Sequence, residues 1–415
     1  MHYFDFHYSW EQRKFGEVFD CTVPNNTLSR AELSYDEGTV LNVHYGDVLI
    51  KYGSVLDVQK DDIPRIPHRC REDFNGALLQ DGDVIIADTA EDETTGKACE
   101  IGNLQGRAIV SGLHTMVCRP RHRMALGYLG HYLNSNAYHH QLLPLMQGIK
   151  VLSLSRSNIQ KTSVSYPTVE KEQQLIANYF SQLDNLITLH QRKYDKLTNV
   201  KKSMLEKMFP QNGSNVPEIR FKGFTEAWEQ RKLSEITDKV TEKNAGLQYV
   251  ETFTNSAEFG IISQRDFFDH DIAKLGSLDG YYIVKNEDFV YNPRISTSAP
   301  VGPINRNKLG RTGVMSPLYT VFRPHDIDTT YLEYFFKCGY WHSFMNFNGD
   351  SGARSDRFSI RDNVFFQMPI PIPDIDEQRK IGELLTCLDN LITLHQRELE
   401  KLKNLKKACL EKMFV

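Results

Sequence analysis

One long segment of this sequence occurs twice. Residues 184–209 and 389–414 are identical at 19 of 26 positions, at a constant offset of 205 residues. In both copies apolar residues recur mostly at alternating steps of three and four, which is typical of a helix that packs along one narrow stripe. A proline followed by acidic residues, Pro167 or Pro373, begins each segment and favours a helix start. The repeat therefore predicts two helices of about forty residues, each roughly 60 Å long.

The two predicted helices are the best available partners for each other. A helix with one narrow apolar stripe gains most of its stability from a second stripe, so we expect the two copies to pack as a coiled coil. The predicted seam consists of Leu183, Ile187, His190 and Leu197 in the first helix and Leu388, Ile392, His395, Leu402 and Leu405 in the second. We interpret the two histidines as a polar layer that fixes the register, in preference to a pH-sensitive or metal-binding pair.

The composition restricts the class of protein. A chain of 415 residues with 40% hydrophobic and 25% charged residues is ordinary for a globular protein of two or more domains. No apolar run approaches a membrane span and no signal peptide is recognisable, so the expected location is the cytoplasm. The seven cysteines form no CxxC pair, which predicts neither a zinc site nor a disulfide framework. The net charge of −4 argues against a nucleic-acid-binding surface over the whole protein, but not against a local basic groove.

The repeat extends beyond the helices. Residues 10–15 (WEQRKF) return as residues 228–233 (WEQRKL), and both halves carry a β-rich run between Gly-Arg and Arg-Pro, residues 106–120 and 310–324. The fold class expected from this pattern is α+β, with two domains of related fold and two long helices. The predicted order is a domain at 1–166, a helix at 167–209, a linker at 210–224, a second domain at 225–372 and a second helix at 373–415.

Several motifs together resemble a known family. The strings WEQRKL, PEIRFKGF and SPLYTVFRP, followed by EQRKIGELLTCLDNLITLHQRELEKLK, resemble those of the specificity subunit of a Type I restriction-modification enzyme, and the resemblance covers nearly the whole chain. It implies two target-recognition domains joined by an antiparallel coiled coil with a pseudo-twofold repeat. It also implies that each domain reads one half of a bipartite, asymmetric site in double-stranded DNA.

The same resemblance implies a chain without catalysis or bound cofactor of its own. Two modification subunits are expected to transfer a methyl group from S-adenosylmethionine to N6 of adenine, and two restriction subunits of the full complex to cut DNA with ATP and Mg. Consistent with this, the sequence has no phosphate-binding GxxxxGK[ST] loop, and residues 292–294 (NPR) match an adenine-methyltransferase motif only in part. Residues 349–352 (GDSG) lack the partners of a serine nucleophile and are interpreted as a Gly-rich loop. No catalytic or metal-binding residue is predicted.

Loops with basic, amide and hydroxyl side chains are the predicted DNA contacts. Arginine can bind guanine in a bidentate manner, and serine or threonine can bind bases or phosphates. The predicted residues are Lys51, Tyr52, Lys150, Ser155 and Arg156 in the first half and Arg294, Ser296, Thr297, Arg354, Ser355 and Arg357 in the second. The residues 147–150 and 349–352 are expected to occupy equivalent loops ahead of the two long helices.

Two other classes of function remain as alternatives. A coiled-coil scaffold or interaction protein without DNA specificity would also contain long helices, but it would not need two diverged, loop-rich domains. A stand-alone nuclease or methyltransferase would need a metal or cofactor motif, and none is visible in the sequence.

Overall fold

The computed structural model describes residues 10–211, 213–268, 275–350 and 356–414. The chain forms two compact units. The first is Met1–Arg192 together with Gln396–Val415, and the second is Lys193–His395. Each unit therefore combines one globular domain with one part of each long helix, because the two ends of a long helix pack on different domains.

Within the described residues, the first unit contains twelve strands and, besides the last part of the second long helix, six α-helices. The strands are β1 (Trp10–Lys14), β2 (Phe19–Asp20), β3 (Val40–Val43), β4 (Val55–Asp57), β5 (Arg65–Ile66), β6 (Val84–Ala87), β7 (Thr89–Ala90), β8 (Ala98–Gly102), β9 (Ala108–Ser111), β10 (Thr115–Pro120), β11 (Leu152–Ser153) and β12 (Ser163–Pro167). The helices are α1 (Phe15–Val18), α2 (Tyr45–Ile50), α3 (Tyr128–Leu133), α4 (Asn136–His139), α5 (Arg156–Ile159) and the first part of α6 (Glu170–Lys207).

A mixed sheet forms the centre of this unit. Its strand order is β2-β10-β6-β8-β4, and a smaller sheet has the order β5-β3-β9. The apolar run of β6 is buried on both faces, which is why it does not alternate with polar residues. Val84 and Ile86 join the apolar cluster that includes α3 and α6, whereas Ile85 and Ala87 join a second cluster on the other face.

The second unit repeats this plan. Its strands are β13 (Glu229–Lys232), β14 (Thr237–Lys239), β15 (Phe253–Ser256), β16 (Gly260–Ser263), β17 (Tyr282–Val284), β18 (Phe289–Tyr291), β19 (Ile304–Arg306), β20 (Gly313–Met315), β21 (Thr320–Pro324) and β22 (Pro369–Ile372). Its helices are the last part of α6, α7 (Gln264–Phe268), α8 (Thr329–Cys338), α9 (Trp341–Asn348), α10 (Asp362–Phe365) and the first part of α11 (Ile375–Lys412). The main sheet has the order β14-β21-β18-β19.

The repeated Arg-Pro motif makes the same ion pair in both units. In the first unit Arg119 makes a bidentate ion pair with Asp83, with N–O distances of 2.8 and 2.7 Å. In the second unit Arg323 does the same with Asp288, at 2.8 Å for both contacts. Both aspartates are buried, and such a charge is tolerated in a core when it is paired. The Arg-Pro motif thus joins the end of one strand to the start of the neighbouring strand in each sheet, β10 to β6 and β21 to β18.

Each long helix begins against the first strand of its own domain. The indole of Trp10 donates to Glu172 at 3.2 Å, and the indole of Trp228 donates to Glu377 at 3.1 Å. The strand that begins at Trp10 and the strand that directly follows Trp228 each pair with the strand that leads into the helix, β1 with β12 and β13 with β22. This arrangement accounts for the repeated WEQRK opening.

The long helices run antiparallel within each unit. In the first unit Asp184 contacts Lys406, and Phe180, which precedes Asp184, stacks on Phe414 near the end of α11. In the second unit Lys201 contacts Asp389. Further along α6, Met208 and Phe209 share an apolar cluster with Ile381 and Leu385, which precede Asp389. The predicted fold class, with two α+β domains and two long antiparallel helices, is confirmed.

Most seam positions are at least half-buried. Leu183 and Leu388 are buried, and Ile187, His190, Leu197, Ile392, His395 and Leu402 are half-buried. Leu405 is 43% exposed, so the prediction that it lies in the seam is wrong. The next residue, Lys406, faces Asp184 instead, and the partly buried residues of this stretch that pack on the core of the first unit are Leu402, Cys409, Leu410 and Met413. The polar layer of His190 and His395 stays a prediction.

Candidate nucleic-acid interface

A tight hairpin of the first unit carries Lys150, one of the predicted DNA contacts. Gln147 and Ser153 exchange two main-chain hydrogen bonds of 3.0 and 2.8 Å at its base. The turn requires glycine at position 148, because φ there is +130° and a Cβ atom would lie 1.9 Å from the Val151 carbonyl oxygen. Lys150 is exposed at the tip, next to the fully exposed Ile149.

Ser155 and Arg156 follow directly on the same surface. The Ser155 hydroxyl accepts a hydrogen bond of 3.2 Å from the main-chain N–H of Asn158, so it caps the short helix α5. Arg156 is the first residue of α5 and its side chain is exposed. The structure therefore brings Lys150, Ser155 and Arg156 onto one exposed segment with a rigid base.

The second unit has an equivalent main-chain pairing ahead of its long helix. Asp350 and Ser359 exchange main-chain hydrogen bonds of 3.1 and 2.7 Å, and a Cβ atom on Gly349 would lie 2.5 Å from the Ser359 carbonyl oxygen. This pairing precedes β22 as the hairpin of the first unit precedes β12. Two predicted site residues, Arg354 and Ser355, lie outside the described residues, as does Ser351 of the GDSG motif.

Three of the four remaining second-half residues line one cavity. The main chains of Arg294 and Arg357 form an antiparallel β-bridge, which joins two loops that are far apart in the sequence. Both arginines and Ser296 line a cavity of about 490 Å³. Ser296 and Ala299 exchange main-chain hydrogen bonds of 3.1 Å, and Thr297 is exposed in the turn between them. The arrangement suits a ligand with several hydrogen-bonding groups.

Two of the predicted first-half residues have a structural role. The Lys51 ammonium donates to Asp62 at 2.6 Å (main-chain oxygen) and 3.0 Å (carboxylate), and it lies 4.7 Å from the Tyr35 ring centroid. Tyr52 is 3% exposed and belongs to an apolar cluster of the first unit, and burial raises the pKa of its hydroxyl. The placement of Tyr52 therefore contradicts the prediction that it contacts DNA, because a core side chain cannot reach a base.

The arginines of the two Arg-Pro motifs are also committed to internal contacts. The hydrogen bond to Asp83 raises the pKa of Arg119, and the one to Asp288 raises that of Arg323. Both guanidinium groups thus remain charged and paired within their units. They are not part of the candidate interface.

The structure adds residues that the sequence patterns did not indicate. Asn255, Gln264 and Asn292 line the same cavity as Arg294, and Tyr319 lies between this cavity and a neighbouring one. The Gln264 side-chain oxygen is buried without a hydrogen-bond partner. Only Tyr319 had a sequence signal, because SPLYT repeats the pattern of SGLHT in the first half.

Neither a metal site nor a membrane span is found among the described residues. In the ranges that the structure describes, no group of three or more histidine, cysteine, aspartate or glutamate side chains is placed to hold a metal ion. Within those same ranges, every helix is too short or too polar to cross a membrane.

Comparison with known proteins defines the class. The family model described as the Type I restriction modification DNA specificity domain matches residues 8–199 and residues 225–404, once in each half of the chain. The chain therefore belongs to this family of DNA specificity domains, and the resemblance seen in its motifs is confirmed.

Individual relatives carry the same description. The Type I restriction enzyme MjaVIII specificity subunit of Methanocaldococcus jannaschii is 25% identical over 280 residues, which span 63% of this chain and 63% of that subunit. The putative type I restriction enzyme MjaX specificity subunit of the same organism is 22% identical over 390 residues, which span 86% of this chain and 81% of that subunit. The crystal structure of the Type-I restriction-modification system S subunit from M. genitalium has a TM-score of 0.55 at 12% identity, over 100% of this chain and 98% of that one, and so shares the fold.

Proposed function

We propose that this chain is the DNA-recognition subunit of a Type I restriction-modification complex and reads a bipartite, asymmetric site, one half with each unit. The observation that carries the proposal is an equivalent main-chain pairing ahead of the long helix in each unit, Gln147 with Ser153 and Asp350 with Ser359, in segments that differ in sequence. Two copies of one scaffold with different loops suit a site whose two halves differ in sequence.

The charge distribution supports a local DNA contact. The net charge is −4, so attraction to phosphates must come from clusters of basic residues. Lys150 and Arg156 form one such cluster in the first unit, and Arg294 and Arg357 form another in the second. The serine and amide groups beside them supply the directional hydrogen bonds that distinguish base edges.

The chain has no catalytic role in this proposal. Methylation of adenine N6 from S-adenosylmethionine would be carried out by two modification subunits, and cleavage with ATP and Mg by two restriction subunits. Leu186 and Leu189 are exposed on α6, and the equivalent Leu391 and Leu394 are exposed on α11. The same exposed apolar pair therefore occurs once in each unit, and this supports the binding of two copies of one partner.

A coiled-coil scaffold without DNA specificity is the alternative. The exposed leucines would suit that function equally well. The candidate interface would not, because a scaffold has no use for basic side chains, Lys150 and Arg156 in one unit and Arg294 and Arg357 in the other, that are placed differently in its two units.

Selection from a random double-stranded DNA library tests the DNA-binding proposal. The full chain would be incubated with the library at a fixed salt concentration, since non-specific binding depends strongly on salt. We expect two short blocks of defined sequence separated by a spacer without preference. Enrichment of one continuous block, or of no sequence, would contradict the proposal.

Purification with modification subunits of a Type I system tests the partner proposal. The Leu186→Glu and Leu391→Glu substitutions are each expected to remove one copy of the partner, and together both copies. Thr188→Glu and Thr393→Glu, at exposed positions between the leucines, are the matched controls and should leave the complex intact. A complex unaffected by both leucine substitutions would place the partner elsewhere.

A further inference from the structure

A matched turn lies beside the candidate interface in each unit. Residues 111–115 (SGLHT) join β9 to β10, and residues 316–320 (SPLYT) join β20 to β21. The turns have the same place in the fold and share serine, leucine and threonine. They differ at the second position, Gly112 or Pro317, and at the position before the threonine, which is His114 in the first unit and Tyr319 in the second.

Main-chain hydrogen bonds fix the first turn against the hairpin segment. The His114 carbonyl accepts from the Asp88 N–H at 3.1 Å, and the Asp88 carbonyl accepts from the Leu154 N–H at 2.8 Å. Thr89, the next residue, pairs with Ser153 at the base of the hairpin. His114 therefore lies next to the segment that carries Lys150 and Arg156.

The His114 side chain is half-exposed and oriented by its neighbours. Its Nδ1 atom is 3.4 Å from the Thr89 hydroxyl and 3.5 Å from the Asp88 carboxylate, and its ring meets the edge of Tyr45 at a centroid distance of 5.3 Å. The main chain of His114 has φ of +53°, which is uncommon for a residue with a side chain. Such conformations are concentrated at functional sites, where the surrounding structure holds them.

Tyr319 has the corresponding position in the second unit. Its hydroxyl is 3.2 Å from the Thr254 hydroxyl, and its ring lines the cavity that also contains Arg294 and Arg357. Tyr319 is half-buried, so the two hydroxyl groups are held at the wall of the cavity.

We propose that His114 and Tyr319 are specificity-determining residues, each of which contacts a base edge in the half-site read by its unit. This inference rests on the proposed function. Phosphates are the same in every sequence, so a phosphate contact would be served by the same side chain in both matched turns, whereas a base contact must differ between different half-sites. Imidazole and phenol can each donate and accept a hydrogen bond, as reading of base edges requires.

The test compares sequences selected from a random double-stranded DNA library by the full-length wild-type chain and its variants. His114→Asn keeps a residue that tolerates positive φ, and Tyr319→Phe removes only the hydroxyl. His122→Asn, an exposed histidine of the same unit, is the control for His114. Thermal melting shows whether each variant is folded. If His114→Asn does not fold, Tyr319→Phe still tests the proposal independently.

We expect each variant to lose discrimination at one or two positions of one half-site, by roughly 5- to 150-fold per lost contact. The other half-site and the His122→Asn consensus should be unchanged. Variants that select the wild-type sequence, or that weaken binding to all sequences alike, would overturn this inference and leave the proposed function standing. A wild-type chain that enriches no sequence would overturn both.

Discussion

The Lys406 ammonium lies 2.5 Å from the Asp184 carboxylate, so the end of α11 is held against the beginning of α6 by an ion pair. The same pair occurs in the second unit with the helices exchanged, as Lys201 and Asp389 at 2.5 Å. Each aspartate also binds a side chain of its own domain, His131 at 3.1 Å for Asp184 and Tyr334 at 2.7 Å for Asp389. The repeated helix sequence thus encodes two reciprocal contacts between helix and domain.

Replacing Asp184 with asparagine should destabilise the first unit. Burial by itself raises the pKa of the Asp184 carboxyl, but the His131 hydrogen bond and the Lys406 charge outweigh burial and lower the pKa. Asp184→Asn removes the partner of both groups and should reduce the free energy of unfolding by about 1–3 kcal/mol at neutral pH. Hydrogen exchange of the first unit in urea measures this.

The effect of Asp184→Asn should depend on pH. A carboxyl whose pKa is lowered by folding stabilises the protein above its unfolded pKa, and this contribution is lost as the pH falls through the folded pKa. The difference between wild type and variant should therefore disappear in acid. Glu400→Gln, at an exposed position of α11, is the control. A variant as stable as wild type at neutral pH would show that the ion pair does not hold the helix.

The phenylalanine that ends each repeat should stabilise the other half of the chain. Phe414 packs with Trp10, Tyr128 and Tyr132, and Phe209 packs with Trp228 and Tyr331. Both are buried, so replacement with alanine should cost about 3–5 kcal/mol. Phe414→Ala should increase hydrogen exchange in residues 10–192, and Phe209→Ala in the globular part of the second unit.

The exposed Leu405 provides the control for Phe414. Leu405→Ala changes an apolar residue of α11, and it should cost less than about 0.5 kcal/mol because the side chain is exposed. If Phe414→Ala mainly destabilised the second unit, the antiparallel packing of α11 on the first domain would be wrong.

Glu100 should make the first unit less stable as the pH rises. It is buried on β8, and burial raises its pKa to about 7 even though it accepts a hydrogen bond of 2.9 Å from the Gly130 N–H. A carboxyl whose pKa is raised by folding stabilises the fold while it is protonated. This contribution is lost as the pH rises from the pKa of the unfolded chain to the pKa of the folded protein. The loss is about 3 kcal/mol at most.

Glu100→Gln should remove this pH dependence. Glutamine keeps an acceptor for Gly130 and cannot ionise, so the free energy of unfolding of the variant should change less between pH values of about 5 and 8. Urea unfolding at both pH values measures it. Equal pH dependence in wild type and variant would show that Glu100 does not ionise in this range.

Arg294 and Arg357 should act on one half-site only. Replacing either with alanine should weaken discrimination at that half-site by about 1–3 kcal/mol for a base contact, or lower the salt dependence for all sequences for a phosphate contact. Competition binding with duplexes altered in one half-site distinguishes these results. Arg379→Ala, an exposed arginine on α11, is the control. Equal loss of discrimination at both half-sites would contradict separate reading.

The repeated architecture could be predicted from the sequence because the residues that produce it occur twice in the chain. The apolar stripe and the WEQRK opening recur in the chain, and both correspond to contacts that recur in the structure. The prediction for Leu405 was wrong because, after Leu402, a step of three reaches Leu405 and a step of four reaches Lys406, so either residue can face the partner helix. In the structure it is Lys406 that faces it, through the ion pair with Asp184. Only the three-dimensional contact resolves that choice.

The candidate interface was less predictable. Tyrosine is a residue type suited to DNA binding, but the side chain of Tyr52 is buried in a core. Residue type alone does not distinguish a buried tyrosine from one that contacts DNA. The convergence of Arg294 with Arg357 depends on a β-bridge between distant loops, for which the sequence has no local signal. Lys150, Ser155 and Arg156 were easier because they are close in the sequence, in a hairpin and the short helix that directly follows it.

The most direct test of the account is to make the two domains identical. In this variant residues 10–167 replace residues 228–373, so that the WEQRK opening and the proline before each helix coincide at both junctions. If each unit reads its own half-site, selection from a random DNA library should give the first half-site twice, as an inverted repeat with a spacer. A variant that still selected the asymmetric wild-type site, or only one copy of the first half-site, would contradict the claim that each unit reads half of the DNA.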